Sequence, residues 1–246
     1  MGTAQRLPQM RPRSIRWVTT SASQKKATAK LMDPTYTPEA PLDCPLCPRL
    51  VDFRTANQEA HPDWFNAPVP SLGNESARLV VMGLAPGLQG ANRTGRPFTG
   101  DWAGDLLYPT LLEFGFAKGT YDARPDDGLE LVDCMISNVV RCVPPQNKPT
   151  GPEAKLCRGF LEARLATLPN LSVIISLGRV SHENVISAYG LKRAAFTFAH
   201  GAEHDLGNGI TLFDSYHCSR YNTNTGRLTE AMFHDVFRAA KDHLSR

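Results

Sequence analysis

The sequence predicts an α/β protein: a three-layer α/β/α sandwich around a four-stranded parallel sheet. Four short apolar runs, each of strand length, recur between residues 79 and 215. Each is followed by a segment that reads as a helix. Strands separated by helices pair in parallel and need helical cover on both faces.

Leu79-Val80-Val81-Met82-Gly83-Leu84 reads as the first strand, ended by Pro86 and Gly87. A helix near Trp102–Phe114 repeats Leu106, Leu107, Leu111 and Leu112 at helical spacing. Cys134–Arg141 is the second strand, stopped by Pro144-Pro145, and Pro152 fits the first turn of a helix running to Leu168. Ser172–Leu177 is the third strand, Val180–Tyr189 a helix and Ile210–Ser215 the fourth strand. Leu228–Leu244 closes the fold with Met232, Val236, Phe237 and Leu244 on one face. Residues 34–70 read as proline-rich coil. Loops at the carboxyl ends of such strands gather into one crevice, where ligands bind.

No apolar run approaches the roughly 18 residues of a membrane span. The net charge of +3 is unevenly spread: residues 1–32 hold seven Lys/Arg and no acid, leaving 20 of the 27 basic residues and all 24 acids for the rest. Residues 1–33 therefore read as a disordered basic arm before a single domain over 34–246. The arm is a dispensable extension, a grip on phosphate backbone or an organellar targeting peptide, and composition alone leaves all three open. It lacks the apolar core of a secretory signal, so a cytoplasmic protein is expected, near the nucleoid in a bacterium.

Without a secretory signal, the six cysteines are expected as ligands or buried thiols rather than disulfides. Cys44-x2-Cys47 and Cys142-x14-Cys157 offer four thiolates in two pairs, which suit a 4Fe–4S cluster or a structural zinc equally. Cys134, inside a strand, reads as a buried apolar residue.

Three loops carry the chemistry. The first, from Gly83 to Asp101, includes Ala85, Gly87, Asn92, Arg93, Arg96 and Phe98, and its glycines let backbone approach a ligand closely. It lacks the lysine ending of a phosphate-binding P-loop. The second places Asn138 at the end of a buried strand, where its amide offers an acceptor beside donors, the complement of a base edge. The third places His217 directly after the last strand, followed by Arg220, Tyr221 and Arg227.

Together these loops resemble the iron–sulfur uracil-DNA glycosylases, specifically their type-5 branch. The resemblance rests on Gly-Leu-Ala-Pro with Asn-Arg-Thr-Gly-Arg-Pro-Phe-Thr-Gly-Asp, on Asn-Val-Val-Arg-Cys-Val-Pro-Pro-Gln-Asn-Lys-Pro, and on Asn-Thr-Asn-Thr-Gly-Arg-Leu-Thr, in that order over residues 44–228. It implies the uracil-DNA glycosylase fold and a monofunctional DNA-repair hydrolase. Such an enzyme flips uracil, or another deaminated base, out of double- or single-stranded DNA and hydrolyses the N-glycosidic bond. It also implies a structural 4Fe–4S cluster on Cys44, Cys47, Cys142 and Cys157, and action as a monomer.

By resemblance, His217 donates to uracil O2 as charge develops, Asn138 reads the base edge, and Phe98 stacks on the base in a pocket formed with Gly83, Ala85 and Gly87. Better-known relatives carry an acid where this chain has Ala85. Asn92 is therefore the expected water-orienting residue, with Asp101 the second candidate and helix capping its alternative role. Tyr221 is expected to fill the gap left by the flipped base. Arg93, Arg96, Arg141, Lys148, Arg220 and Arg227 are the expected DNA contacts. One departure is Cys218, where the family has proline; it is expected to loosen the turn beside His217. The missing acid keeps open a nucleic-acid-binding relative with lost or altered chemistry. A small electron-transfer protein and a nucleotide hydrolase are the more distant readings.

Overall fold

The computed structural model describes residues 36–246. The basic arm read over residues 1–33 lies outside the described residues. All four predicted strands form: β2 (Leu79–Gly83), β5 (Cys134–Asn138), β6 (Val173–Leu177) and β8 (Ile210–Ser215). They pair in parallel in the order β5-β2-β6-β8. The sheet extends beyond the expected four. β1 (Leu72–Gly73) adds antiparallel to β5, and β7 (Glu203–Gly207) adds antiparallel to β8. The β7–β8 turn is Asn208-Gly209, both with positive φ (54° and 77°), the backbone of a two-residue hairpin. A separate ribbon joins β3 (Ala117–Lys118) to β4 (Glu130–Leu131).

Alternation along β2 shows why the fold has three layers. Leu79 and Val81 pack with Leu107 and Leu111 of α3 (Trp102–Glu113) and with Phe233 and Phe237 of α7 (Glu230–Leu244). Val80 and Met82 point the other way, into a second core with Leu161 and Leu165 of α4 (Gly151–Ala166) and Val185 and Ile186 of α5 (Arg179–Ala188). Each such side chain, fully buried, contributes about 1.5–3 kcal/mol. Caps fix where the helices start: Asp101 caps α3, Thr150 and Glu153 form a capping box on α4, and Thr229 caps α7.

The proline-rich segment is not all coil. It contains α1 (Pro48–Ala60), followed later by the short helices α2 (Ala91–Thr94) and α6 (Arg220–Asn224). α1 buries only Leu50, Arg54 and Asn57, so it has no apolar stripe for periodicity to reveal. Among the described residues, no helix is long and apolar enough to cross a membrane.

A buried ionic knot ties β8 to its neighbours. The Asp214 carboxylate accepts from Ser176 Oγ (2.8 Å), faces His182 Nδ1 (2.8 Å) and faces His204 Nε2 (3.0 Å). The other ring nitrogen of His182 meets the Phe196 carbonyl at 3.0 Å. Both His182 nitrogens thus face acceptors, which an imidazolium satisfies. Burial opposes that charge, but Asp214 and the Phe196 carbonyl outweigh it and raise the His182 pKa above 6.5. The protonated ring binds its proton more tightly folded than unfolded, so its stabilisation is complete below pH 6.5 and is lost as pH rises through the raised value. The melting temperature should therefore fall as pH rises above the ordinary histidine value of 6.5, and His182→Asn should flatten that slope. An unchanged slope in the variant would assign the dependence elsewhere.

Candidate active site

Parallel register sets Gly83 of β2 level with Asn138 of β5, and Leu177 of β6 level with Ser215 of β8. The loops leaving β2, β5 and β8 therefore rise from one edge of the sheet. They line an open cavity of about 530 Å³. Ala85, Gly87, Phe98, Asp101, Asn138 and His217 form its wall, together with the exposed Arg220 and Tyr221. Gly83 lies behind it. A Cβ there would strike the Asn138 carboxamide oxygen and come within 2.6 Å of the Phe98 ring, so glycine is required. Phe98 itself has φ 54°, a left-handed backbone that the surrounding packing must hold.

Two wall residues keep enclosed polar atoms without a protein partner: Asn138 Oδ1 and His217 Nδ1. His217 is held through its carbonyl, which accepts from Asn222 Nδ2 at 2.8 Å. Burial lowers its pKa to about 4, so the imidazole is neutral at physiological pH. Cys218 was expected to loosen the turn beside His217. It is wholly buried in the core, with its thiol 3.5 Å from the Ala103 carbonyl.

Asp101 has two roles open to it. Its Oδ1 accepts from the Ala103 and Gly104 amides, both at 3.1 Å, as a helix cap. Its Oδ2 lies against the glycine loop, where a Cβ on Gly90 would come within 2.5 Å. Asp101 is the only carboxylate among the described residues lining the cavity, and burial raises its pKa. Asn92 sits one layer back. Its Nδ2 donates to Asn66 Oδ1 (2.9 Å), and its Oδ1 is enclosed without a partner.

Of the expected DNA contacts, Arg93, Lys148, Arg220 and Arg227 are exposed, as is Tyr221. Arg220 lies over the Trp102 ring, and Trp102 Nε1 donates to Thr223 Oγ1 at 2.8 Å, docking α6 on the start of α3. Arg96 and Arg141, expected at the DNA backbone, are instead buried in ion pairs. Arg96 makes a bidentate pair with Asp127 (2.7 and 2.6 Å), with side chains only 6% and 0% exposed. Arg141 is buried against Glu39, Ser71 Oγ and the Pro38 carbonyl. Both partners lie far off in sequence, which is why the charges looked free. Trp102, Asn147 and Ser219 also line the cavity without having been singled out. The exposed aromatic beside Asp101 was the one signal that could have flagged Trp102.

Cys44, Cys47, Cys142 and Cys157 converge on one small apolar cavity with Leu50 and Phe160. Burial, then the charge of Cys157, pushes Cys47 up to about 11 and Cys142 up to about 12. Thiols so placed ionise together only when a cation takes up their charge, so the donor set fits a thiolate-bound metal group. The Arg141 amide donates to Cys157 Sγ (3.3 Å), and Arg54 Nη1 faces Cys142 Sγ (4.0 Å).

A Gly-lined pocket at the carboxyl edge of a parallel sheet, with an unpartnered amide and a neutral imidazole, is a site for a flat polar ligand. Residues 70–241 match the family model described as Uracil DNA glycosylase superfamily. Over 204 residues, 80% of this chain and 92% of the relative, it is 45% identical to the type-5 uracil-DNA glycosylase of Thermus thermophilus. It is 40% identical to that of Mycobacterium leprae over 206 residues (80% of this chain, 90% of the relative). With that of Pyrobaculum aerophilum it shares 36% over 203 residues (81% and 88%). The chain belongs to the uracil-DNA glycosylase superfamily, in its type-5 branch.

The Arg96–Asp127 pair holds the cavity's first loop. Arg96 Nε also donates to Thr99 Oγ1 (2.7 Å), and hydrogen bonding from Arg96 keeps the Asp127 carboxyl well below the usual range. Asp127→Asn should leave a buried unpaired guanidinium and cost about 3–5 kcal/mol in denaturant unfolding. A loss under about 1 kcal/mol would show the pair to be dispensable.

Proposed function

We propose that this protein excises uracil from DNA by hydrolysing the N-glycosidic bond, leaving an abasic site. The observation that carries the reading is the pair of unpartnered groups on the cavity wall, Asn138 Oδ1 and His217 Nδ1. An orphaned buried polar atom costs about 1–3 kcal/mol, which a ligand with matching groups relieves. Uracil presents an N–H beside a carbonyl. Asn138 Oδ1 accepts from the N–H while its Nδ2 donates to the carbonyl.

Bond cleavage leaves negative charge on the base and positive charge on the sugar. A neutral His217 donates to the base oxygen as charge builds, in a site where a fixed donor acts more strongly than water does. Phe98 packs against the base. Asn92 orients the attacking water, and Asp101, the carboxylate on the cavity wall, is the second candidate for that role. Ala85 carries no acid, and Asp101 supports retained rather than lost chemistry. Exposed Arg93, Lys148, Arg220 and Arg227 contact backbone, and Tyr221 (72% exposed) fills the gap left by the flipped nucleotide. Action as a monomer belongs to the same proposal.

Release of free uracil from a duplex oligonucleotide tests the reading. His217→Ala should raise the single-turnover barrier by about 2.7–4 kcal/mol, and Asn138→Ala should mainly relax the choice among bases. Parental uracil excision by either variant would overturn the pocket assignment. DNA binding without base release would point instead to a binding protein of the superfamily.

The four cysteines would hold a 4Fe–4S cluster, whose contribution when bound is to tie the segment before β1 to α4. Purified protein should contain iron and acid-labile sulfide, about four of each, and Cys142→Ala should lose solubility before any catalytic step. Active protein with stoichiometric zinc and no sulfide would sink the cluster.

A further inference from the structure

Trp102 opens α3 on the rim of the cavity and is 46% exposed. Its one polar atom is committed to α6: Nε1 donates to Thr223 Oγ1 at 2.8 Å, across 121 positions of sequence. The Arg220 guanidinium lies over the same ring, 5.4 Å from its centroid. Trp102, Arg220 and Tyr221 all line the cavity, so these contacts join two parts of its wall.

α6 cannot hold itself in place. It has five residues and buries none of them, and so short a helix gains too few hydrogen bonds to offset the ordering of its backbone. Asn222 fixes its inner side: Nδ2 donates to His217 O at 2.8 Å, and its carbonyl accepts from Leu228 N at 3.0 Å. Those bonds stay within the stretch of chain that follows β8. The indole reaches α6 from α3, and the helix so held presents Tyr221, 72% exposed, beside the cavity.

We propose that Trp102 is a positioning residue that pre-orders α6, setting Tyr221 where the gap of a flipped nucleotide opens. The proposal rests on the reading of Tyr221 as the residue that fills that gap. A loose α6 would have to be ordered on DNA, and that cost would subtract from the free energy available for extruding the nucleotide. The help counts most where extrusion is hardest. A uracil paired with adenine must be unpaired and unstacked, whereas one in a single strand has no partner to leave.

Trp102→Phe is the test, because it keeps a ring under Arg220 and removes only the indole donor. Single-turnover excision by the full chain, under saturating enzyme, is compared on a uracil–adenine duplex and on the same strand alone. The ratio of duplex to single-strand rate should fall about three- to tenfold, the size of one lost hydrogen bond. Thr223→Val, which removes the acceptor from the α6 side, should lower the ratio likewise, and the double variant no further than the more affected single. Should Trp102→Phe not fold, Thr223→Val carries the comparison alone. A parental ratio, equal slowing on both substrates or additive losses in the double variant would overturn the proposal. Tyr221→Ala separates the two readings. If it leaves the ratio parental, the role given to Tyr221 fails and the proposal with it; if it lowers the ratio while Trp102→Phe does not, only the part given to Trp102 falls.

Discussion

The parallel pairing of β2 with β5 is the constraint on which the site depends. It ends with Gly83 beside Asn138, and the ladder continues one step into the loops: Val139 N donates to Gly83 O and Val140 N to Leu84 O. Both loops therefore leave the sheet in step, and the Asn138 carboxamide arrives where β2 has no side chain. A larger residue at 83 would displace both Asn138 and the Phe98 ring. Strand register thus becomes the geometry of a base-reading group.

A second constraint comes from the segment before the sheet, which buried charge fastens down. Glu39 takes Arg164 at 2.7 Å and Arg141 at 3.3 Å, and Arg49 pairs with Glu153 at 2.7 Å. Arg141 and Arg164 are almost wholly enclosed, so removing a partner leaves an uncompensated ion rather than a loosened surface contact. These pairs tie the segment that carries Cys44 and Cys47 to α4, which carries Cys157, and to Arg141 beside Cys142.

The legible parts of the fold share a physical cause. β2, β5, β6 and β8 are buried on both faces, so their apolar runs are continuous and stand out from any sequence background. β7 escaped notice because Glu-His-Asp-Leu-Gly at a sheet edge is half polar, although Asn208-Gly209 carried the hairpin signal. α1 escaped because its buried face includes Arg54 and Asn57. Within the site, the residues read from the loop motifs, Asn138, His217 and Phe98, lie on one cavity. The two arginines expected at DNA but found buried are those whose partners, Asp127 and Glu39, stand 31 and 102 positions away. Side-chain pairing across such separations leaves no local pattern to read.

The enclosed Arg96–Asp127 pair also bears on how this loop can drift over generations. Either position changing alone strands an ion in the interior, and lysine at 96 would forfeit the two-pronged fit to the carboxylate. The two sites must therefore be inherited as a unit. Lineages that lose one should have lost both, with an apolar strut in their place, so residue 127, remote from every reacting atom, is bound to the history of the catalytic loop.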